Sequence, residues 1–321
     1  MPTLDEIVAL RADARRLDWA AHRSMRASRS GTRLSRFRGR GVDFAEVRAY
    51  EPGDDVRHID WRVTARTGRT HTKLFQEERE RPVLVVADLG PSSFFGTRRR
   101  MKSVAVTELA ALLLWRAFDE GDRIGAIIRD CNDHHAFRPR HSQQTLLRIL
   151  GRLQQGCTEL AERLGAQAPQ QAPPPAQGFR LTDALAHAHR VARPGSRVLV
   201  ISDFADADML DGDGDVARHL QRLGRRSELE VLHVSDPFDR ALPAADIYAL
   251  SDGSNRLLLD TAPATTRAAW RRRHAARMTQ LQALVRGARG QLMSFGTEDD
   301  LAHSLGETLR RQPLRRGSTA R

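Results

Sequence analysis

Lysine is almost missing from this 321-residue chain: Lys73 and Lys102 are the only two, so nearly all of the 52 basic residues are arginine. Cysteine is just as scarce. Cys131 and Cys157 lie too far apart for a Cys-x-x-Cys metal or redox motif, and so few cysteines suit a reducing compartment. Long apolar runs are lacking too: the longest apolar helical stretch, around Val104 to Phe118, is interrupted by Glu108 and Arg116, short of the roughly 18 to 20 uninterrupted residues that span a bilayer. A soluble protein is expected. The start, Met1-Pro2-Thr3-Leu4-Asp5-Glu6, has neither the basic nor the apolar region of a signal peptide, which together with the cysteines predicts a cytoplasmic location. No Gly-x-x-x-x-Gly-Lys-Ser/Thr loop occurs, which argues against ATP hydrolysis by this chain. Without a Gly-x-Ser-x-Gly elbow the commonest α/β-hydrolase reading goes as well.

What is present is a strongly basic chain, with formal charge +12 and pI near 11.1. Such a balance raises nucleic acid or an anionic membrane surface as partners, while arginine spread along the whole chain is also what a GC-rich genome produces. The 40% hydrophobic content supports a real core, in one large α/β domain or in an ordinary domain with a smaller appendage.

Thr3 with Glu6 forms a capping box, and Leu4, Ile7, Val8, Ala14 and Leu17 recur at helical spacing, predicting a first helix over residues 4 to 17. The basic stretch Arg23 to Arg40 reads as irregular. Pro52-Gly53 marks a turn, after which Asp54 or Asp55 is expected to cap a short helical segment carrying Ile59, Trp61 and Val63. From residue 81 apolar strands alternate with helices: strands at 83–87, 123–128, 197–202, 229–234 and 292–295, helices at 100–119, 142–154, 182–192, 215–225, 263–287 and 299–310, and a hairpin pairing 248–250 with 257–259. This alternation predicts an α/β fold, a doubly wound and mainly parallel sheet covered on both faces. The expected organisation is an N-terminal appendage over residues 1–80, the α/β domain over 81–311 with a mobile Pro/Gln loop at 165–178, and a frayed basic tail at 312–321.

The least generic segment runs from Gly39 to Arg66, GRGVDFAEVRAYEPGDDVRHIDWRVTAR, a dense mixture of Gly, acids, Arg and aromatics. Two later apolar runs end in acids, one in Asp88-Leu89-Gly90-Pro91-Ser92 and the other in Ser202-Asp203. Through Arg48, Tyr50, Gly53, Asp54, Asp55, Arg57, Ile59, Asp60, Trp61, Ala65 and Arg66, with Lys73-Leu74-Phe75 and Glu78 after them, the chain resembles bacterial domain-of-unknown-function family 58. Members of that family carry a von Willebrand factor type A-like domain, which belongs to the Rossmann-like doubly wound folds, and the resemblance covers most of the chain.

The resemblance implies a metal-ion-dependent adhesion site beyond the carboxyl ends of the strands, where open parallel sheets bind ligands. Asp88 and Ser92 match its first loop, Thr182 the second and Asp203 the third, and such oxygen ligands suit Mg²⁺ or Mn²⁺. Gly90 departs from the pattern, standing where a ligand serine is expected. The alternative is a metal-free fold in which Asp88 caps its turn and Asp203 accepts from backbone amides. For Arg48, Tyr50, Asp54, Asp55, Arg57, Asp60 and Trp61 three readings stand side by side. They form a self-satisfied structural clasp of charge-assisted hydrogen bonds, a partner-docking surface, or, through Asp54, Asp55 and Asp60 with Glu77 and Glu78, a two-metal nuclease cluster of oxygen ligands. Cys131, Asp133, His134 and His135 crowd too closely to surround one tetrahedral ion and read as a surface turn, and His187 reads as an exposed or packing residue.

The leading expectation is therefore a non-enzymatic adaptor that docks a protein partner. Because relatives of this family are commonly encoded beside MoxR-type AAA+ ATPases, the resemblance implies such an ATPase or its client as partner, in assembly or maturation of other proteins. The alternative is nucleic-acid binding through Arg23, Arg26, Arg29, Arg33, Arg36, Arg38 and Arg40 with Arg310, Arg311, Arg315 and Arg316, by salt-sensitive phosphate contacts.

Overall fold

Six strands form the central sheet in the computed structural model, which describes residues 1–17, 42–51, 54, 56–77, 82–130, 133–165, 180–205, 214–251 and 256–311. The chain divides into two compact units, one of residues 28–80 and one of residues 1–27 with 81–321. The expected mobile loop and basic tail, and the basic stretch Arg23 to Arg40, lie outside the described residues.

The smaller unit holds two antiparallel strands, β1 (Val42–Ala49) and β2 (His71–Glu77). Between them run a 3₁₀ turn, Val56–His58, and helix α3 (Trp61–Thr67), which ends at Gly68 in the left-handed conformation (φ +69°) that glycine adopts without strain. Neither strand was legible in the sequence, where charged residues interrupt both runs.

In the larger unit the strand order is β10 (Gln291–Gly296), β7 (Glu228–Ser235), β6 (Arg197–Ser202), β3 (Pro82–Asp88), β4 (Arg123–Arg129), β5 (His134–Arg140). All neighbours pair in parallel except β4 with β5. Numbered within this sheet, the order is the 3-2-1-4-5-6 of doubly wound folds, and its switch point falls between β3 and β6. Val83 to Ala87 at the centre are fully buried, each large side chain there contributing about 1.5 to 3 kcal/mol. Alternation along β3 divides the core. Val83, Val85 and Ala87 pack with helices α4 (Lys102–Asp119), α5 (Gln143–Gly165) and α10 (Leu301–Arg311), while Leu84 and Val86 pack with α6 (Leu181–Val191), α7 (Asp215–Arg226) and α9 (Ala264–Gly287). A one-turn helix, α8 (Pro237–Arg240), follows β7, and the hairpin β8 (Ile247–Ser251) with β9 (Arg256–Asp260) precedes α9.

Strand β5 is the element the sequence hid. It begins at His134, where a surface turn was expected, and as the sheet's antiparallel edge it tolerates Pro139 and alternates in exposure instead of forming an apolar run. The expected first helix is two short ones, α1 (Leu4–Ala9) and α2 (Arg11–Ala14), breaking at Leu10. Ile7, Ala14 and Leu17 join the main core and Arg11 pairs with Asp119 at 2.7 Å. The first residues thus pack with the α/β unit, whereas the sequence grouped them with the appendage.

Candidate functional site

Asp88 ends β3 and Asp203 follows β6, so the two acids flank the switch point as their positions after apolar runs foretold. Asp88 Oδ1 accepts from the Gly90 amide at 3.1 Å and from Arg129 Nη1 at 2.7 Å, and its Oδ2 accepts from Ser202 Oγ at 2.6 Å. Asp203 Oδ1 accepts from Ser92 Oγ and from the Ala205 amide, each at 3.1 Å. Its Oδ2 lies 3.2 Å from Lys102 Nζ, which also reaches Asp239 Oδ2 at 2.9 Å. Lys102 opens α4, Arg129 ends β4 and Asp239 sits in α8, so these three elements join the ends of β3 and β6 at this crevice. Phe204 beside it is buried at φ 47°, a left-handed conformation unusual for a residue with Cβ, and donates its amide to Ser202 Oγ at 2.9 Å.

Each carboxylate therefore already faces a built-in cation. Burial raises the Asp203 carboxyl above the usual range, Lys102 opposes that and Asp88 adds to it. For Lys102 burial acts downward, but Asp203 and Asp239 outweigh it and hold the ammonium above the ordinary lysine value.

Mg²⁺ or Mn²⁺ demands a shell of free oxygen ligands at about 2.0 to 2.1 Å. The residues present do not fit one. Two cations take the acid oxygens, and Thr182, at the start of α6, makes no hydrogen bond to either acid. Gly90 carries the sharpest observation: a Cβ there would lie 2.3 Å from Arg129 Nη1. The guanidinium fills the volume in which a ligand serine would stand. Among the described residues, no group of three or more His, Cys, Asp and Glu could hold a metal ion.

Beside the crevice, Asp236 clamps the loop after β3. It accepts from the Thr97 amide (2.9 Å), from Thr97 Oγ1 (2.5 Å) and from Thr297 Oγ1 (2.6 Å). The clamped loop presents Arg98 and Arg99 to solvent at the carboxyl-end crest. Elsewhere His187, expected to be exposed or packing, packs edge-on against His134 and meets it at 2.6 Å, linking α6 to β5.

In the smaller unit the segment satisfies much of its own polarity. Arg48 pairs with Asp54 at 2.7 Å, Asp54 accepts from the Glu51 amide and the Tyr50 amide donates to the Thr70 carbonyl. Asp60, not Asp54 or Asp55, caps α3, accepting from the Arg62 and Val63 amides, and Ile59 bridges to Thr72 outside the helix. Arg57 is exposed, and Trp61 is 70% exposed. Asp55 lies outside the described residues, as do the arginines of the nucleic-acid reading except Arg310 and Arg311, the latter paired with Glu307.

Sequence reasoning missed Lys102, Arg129, Ser202 and Asp239. The one available signal was Lys102 itself, a lysine kept in a chain that otherwise uses arginine.

A family profile described as "Protein of unknown function DUF58" matches residues 46–281. The chain is similar to the uncharacterized protein Rv1480 of Mycobacterium tuberculosis, 28% identical over 295 residues, covering 91% of this chain and 86% of that protein. Among solved structures it is similar to a conserved hypothetical protein BatB from Bacteroides thetaiotaomicron (TM-score 0.43, 13% identity, covering 72% of this chain and all of that one). It is also similar to the SpRpn10 VWA domain (TM-score 0.40, 9% identity, 75% of this chain and all of that one).

Proposed function

The chain belongs to the DUF58 family, and from that premise and its doubly wound sheet we propose that it is a non-enzymatic adaptor that docks a protein partner on its carboxyl-end crest without a metal ion. The observation that carries this reading is the cation pair inside the crevice: Lys102 on Asp203 and Arg129 on Asp88 supply the charge that a dication would otherwise bring. Their role is to hold the loop after β3 against the end of β6 in one conformation, pre-organised for a partner. That loop presents Ser92, Arg98 and Arg99 at the rim. Family resemblance supports a MoxR-type AAA+ ATPase, or its client, as that partner, with assembly or maturation of other proteins as the process.

Affinity capture from a native lysate tests the reading with the paired charge reversal Arg98→Glu and Arg99→Glu, whose side chains are exposed and leave the core untouched. The wild type should recover an AAA+ ATPase equally in Mg²⁺ and in chelator, and the variant should lose at least about tenfold, since like charge set against a partner's acids opposes association. Recovery abolished by chelator would refute the metal-free crevice. Undiminished recovery by the variant would refute the crest as the docking surface.

A further inference from the structure

A second recess opens beside the crevice, at the start of α4. Lys102 reaches into the crevice toward Asp203, whereas Met101 and Val104 line a groove of about 590 Å³ together with Ile7 of α1 and Leu10 just after it. Ile7 is buried, while Leu10, Met101 and Val104 are half-buried and leave apolar surface open. The loop that walls one end is closed tightly on itself. The Lys102 amide donates to the Phe95 carbonyl at 2.8 Å, a Cβ at Gly96 would lie 2.3 Å from the Arg100 carbonyl oxygen, and Asp236 holds Thr97.

Two acids stand in the walls, and both are engaged. Glu6 accepts from the Thr3 amide at 2.8 Å in the capping box of α1, and Glu108 accepts from Arg100 Nη1 at 2.6 Å. Arg99, which also lines the groove, and its neighbour Arg98 are exposed and form no ion pair among the described residues. An open apolar groove thus carries unneutralised positive charge at its loop end.

We propose that this groove receives an amphipathic helix of the protein partner, with apolar side chains one turn apart against Leu10, Met101 and Val104 and acidic side chains toward Arg98 and Arg99. The groove continues the crest on which the partner docks, so this occupant rests on that reading. A helix suits it better than an extended segment, because no residue lining it belongs to a strand whose edge could pair. A lipid surface suits it less, since anionic headgroups would meet Glu6 and Glu108 in the same walls.

Fluorescence anisotropy of the full chain tests the proposal with a labelled helical peptide carrying leucine at i, i+3, i+4 and i+7 and glutamate and alanine elsewhere. Binding should saturate, on the order of tenfold tighter than for the same peptide with serine for leucine or with lysine for glutamate. Met101→Gln with Val104→Thr should weaken it on the order of tenfold with Arg98 and Arg99 in place, and thermal melting checks that this variant keeps its fold. Arg99→Glu changes only an exposed side chain and should remove most of the preference for glutamate over lysine. The proposal is overturned by absence of saturable binding, by equal binding of the leucine and serine peptides, by undiminished binding in the folded Met101→Gln and Val104→Thr variant, or by an unchanged charge preference in Arg99→Glu. Failure of the peptide while ATPase capture still depends on Arg98 and Arg99 would sink the groove and leave the crest standing. Peptide binding through Met101 and Val104, with capture indifferent to Arg98 and Arg99, would support the groove and remove the crest as the ATPase surface.

Discussion

Lys102 shows why a compact ammonium survives in a chain that otherwise prefers guanidinium. Its side chain, 6% exposed, places one nitrogen between Asp203 at 3.2 Å and Asp239 at 2.9 Å, a point-charge geometry that a planar fork does not reproduce. Removing one partner of a buried ionic cluster leaves the others uncompensated and costs about 3 to 5 kcal/mol. Lys102→Met should therefore lower stability by that order in urea unfolding, and Lys102→Arg should recover only part of it. A Lys102→Met protein as stable as the wild type would show that the cation is dispensable. Arg129 plays the matching part at Asp88, and a Cβ at Gly90 would require its guanidinium to shift.

Among the elements, α3 has a single residue, Asp60, capping its N-terminus. It is seven residues long, too short to hold on helix propensity alone, and Asp60 satisfies two of its leading amides. Asp60→Ala should cost roughly 1 kcal/mol and show as faster amide exchange across residues 61 to 67, with exchange in the central strands β3 and β6 unchanged. Protection that persists in α3 would place its stability elsewhere. The sequence pointed to the right neighbourhood but to Asp54 or Asp55 as the cap. Asp54 is instead drawn off by Arg48, a partner on β1, and that strand had no sequence signature. The buried parallel strands announced themselves as apolar runs, while β1, β2 and β5 did not, because a strand with an exposed side or a free edge needs no such run.

At the scale of the whole molecule, pH dependence should follow the histidine sealed in the sheet. His233 on β7 is 6% exposed, and burial first of all, with Lys102, His274 and Arg277 adding to it and Asp239 opposing, lowers its value from 6.5 to about 4. Between those values the unfolded chain binds a proton that the folded chain does not. Stability from this group is thus complete above about pH 6.5 and is lost as pH falls toward 4, by about 3 kcal/mol. Urea midpoints at pH 7 and pH 5 should differ accordingly, and His233→Asn should flatten the difference; an equal slope in the variant would assign the effect to other groups.

What the sequence determined by itself was the pattern of periodicities: a doubly wound parallel sheet with Asp88 and Asp203 at strand ends, together with the family signature between Arg48 and Arg66. These are local properties, fixed by which side chains alternate and where a run stops. Only the tertiary structure decided what those acids face, because Lys102 and Arg129 stand 101 and 41 residues from their partners and no spacing rule links them. The sequence supplied the carboxylates; folding brought two cations to them.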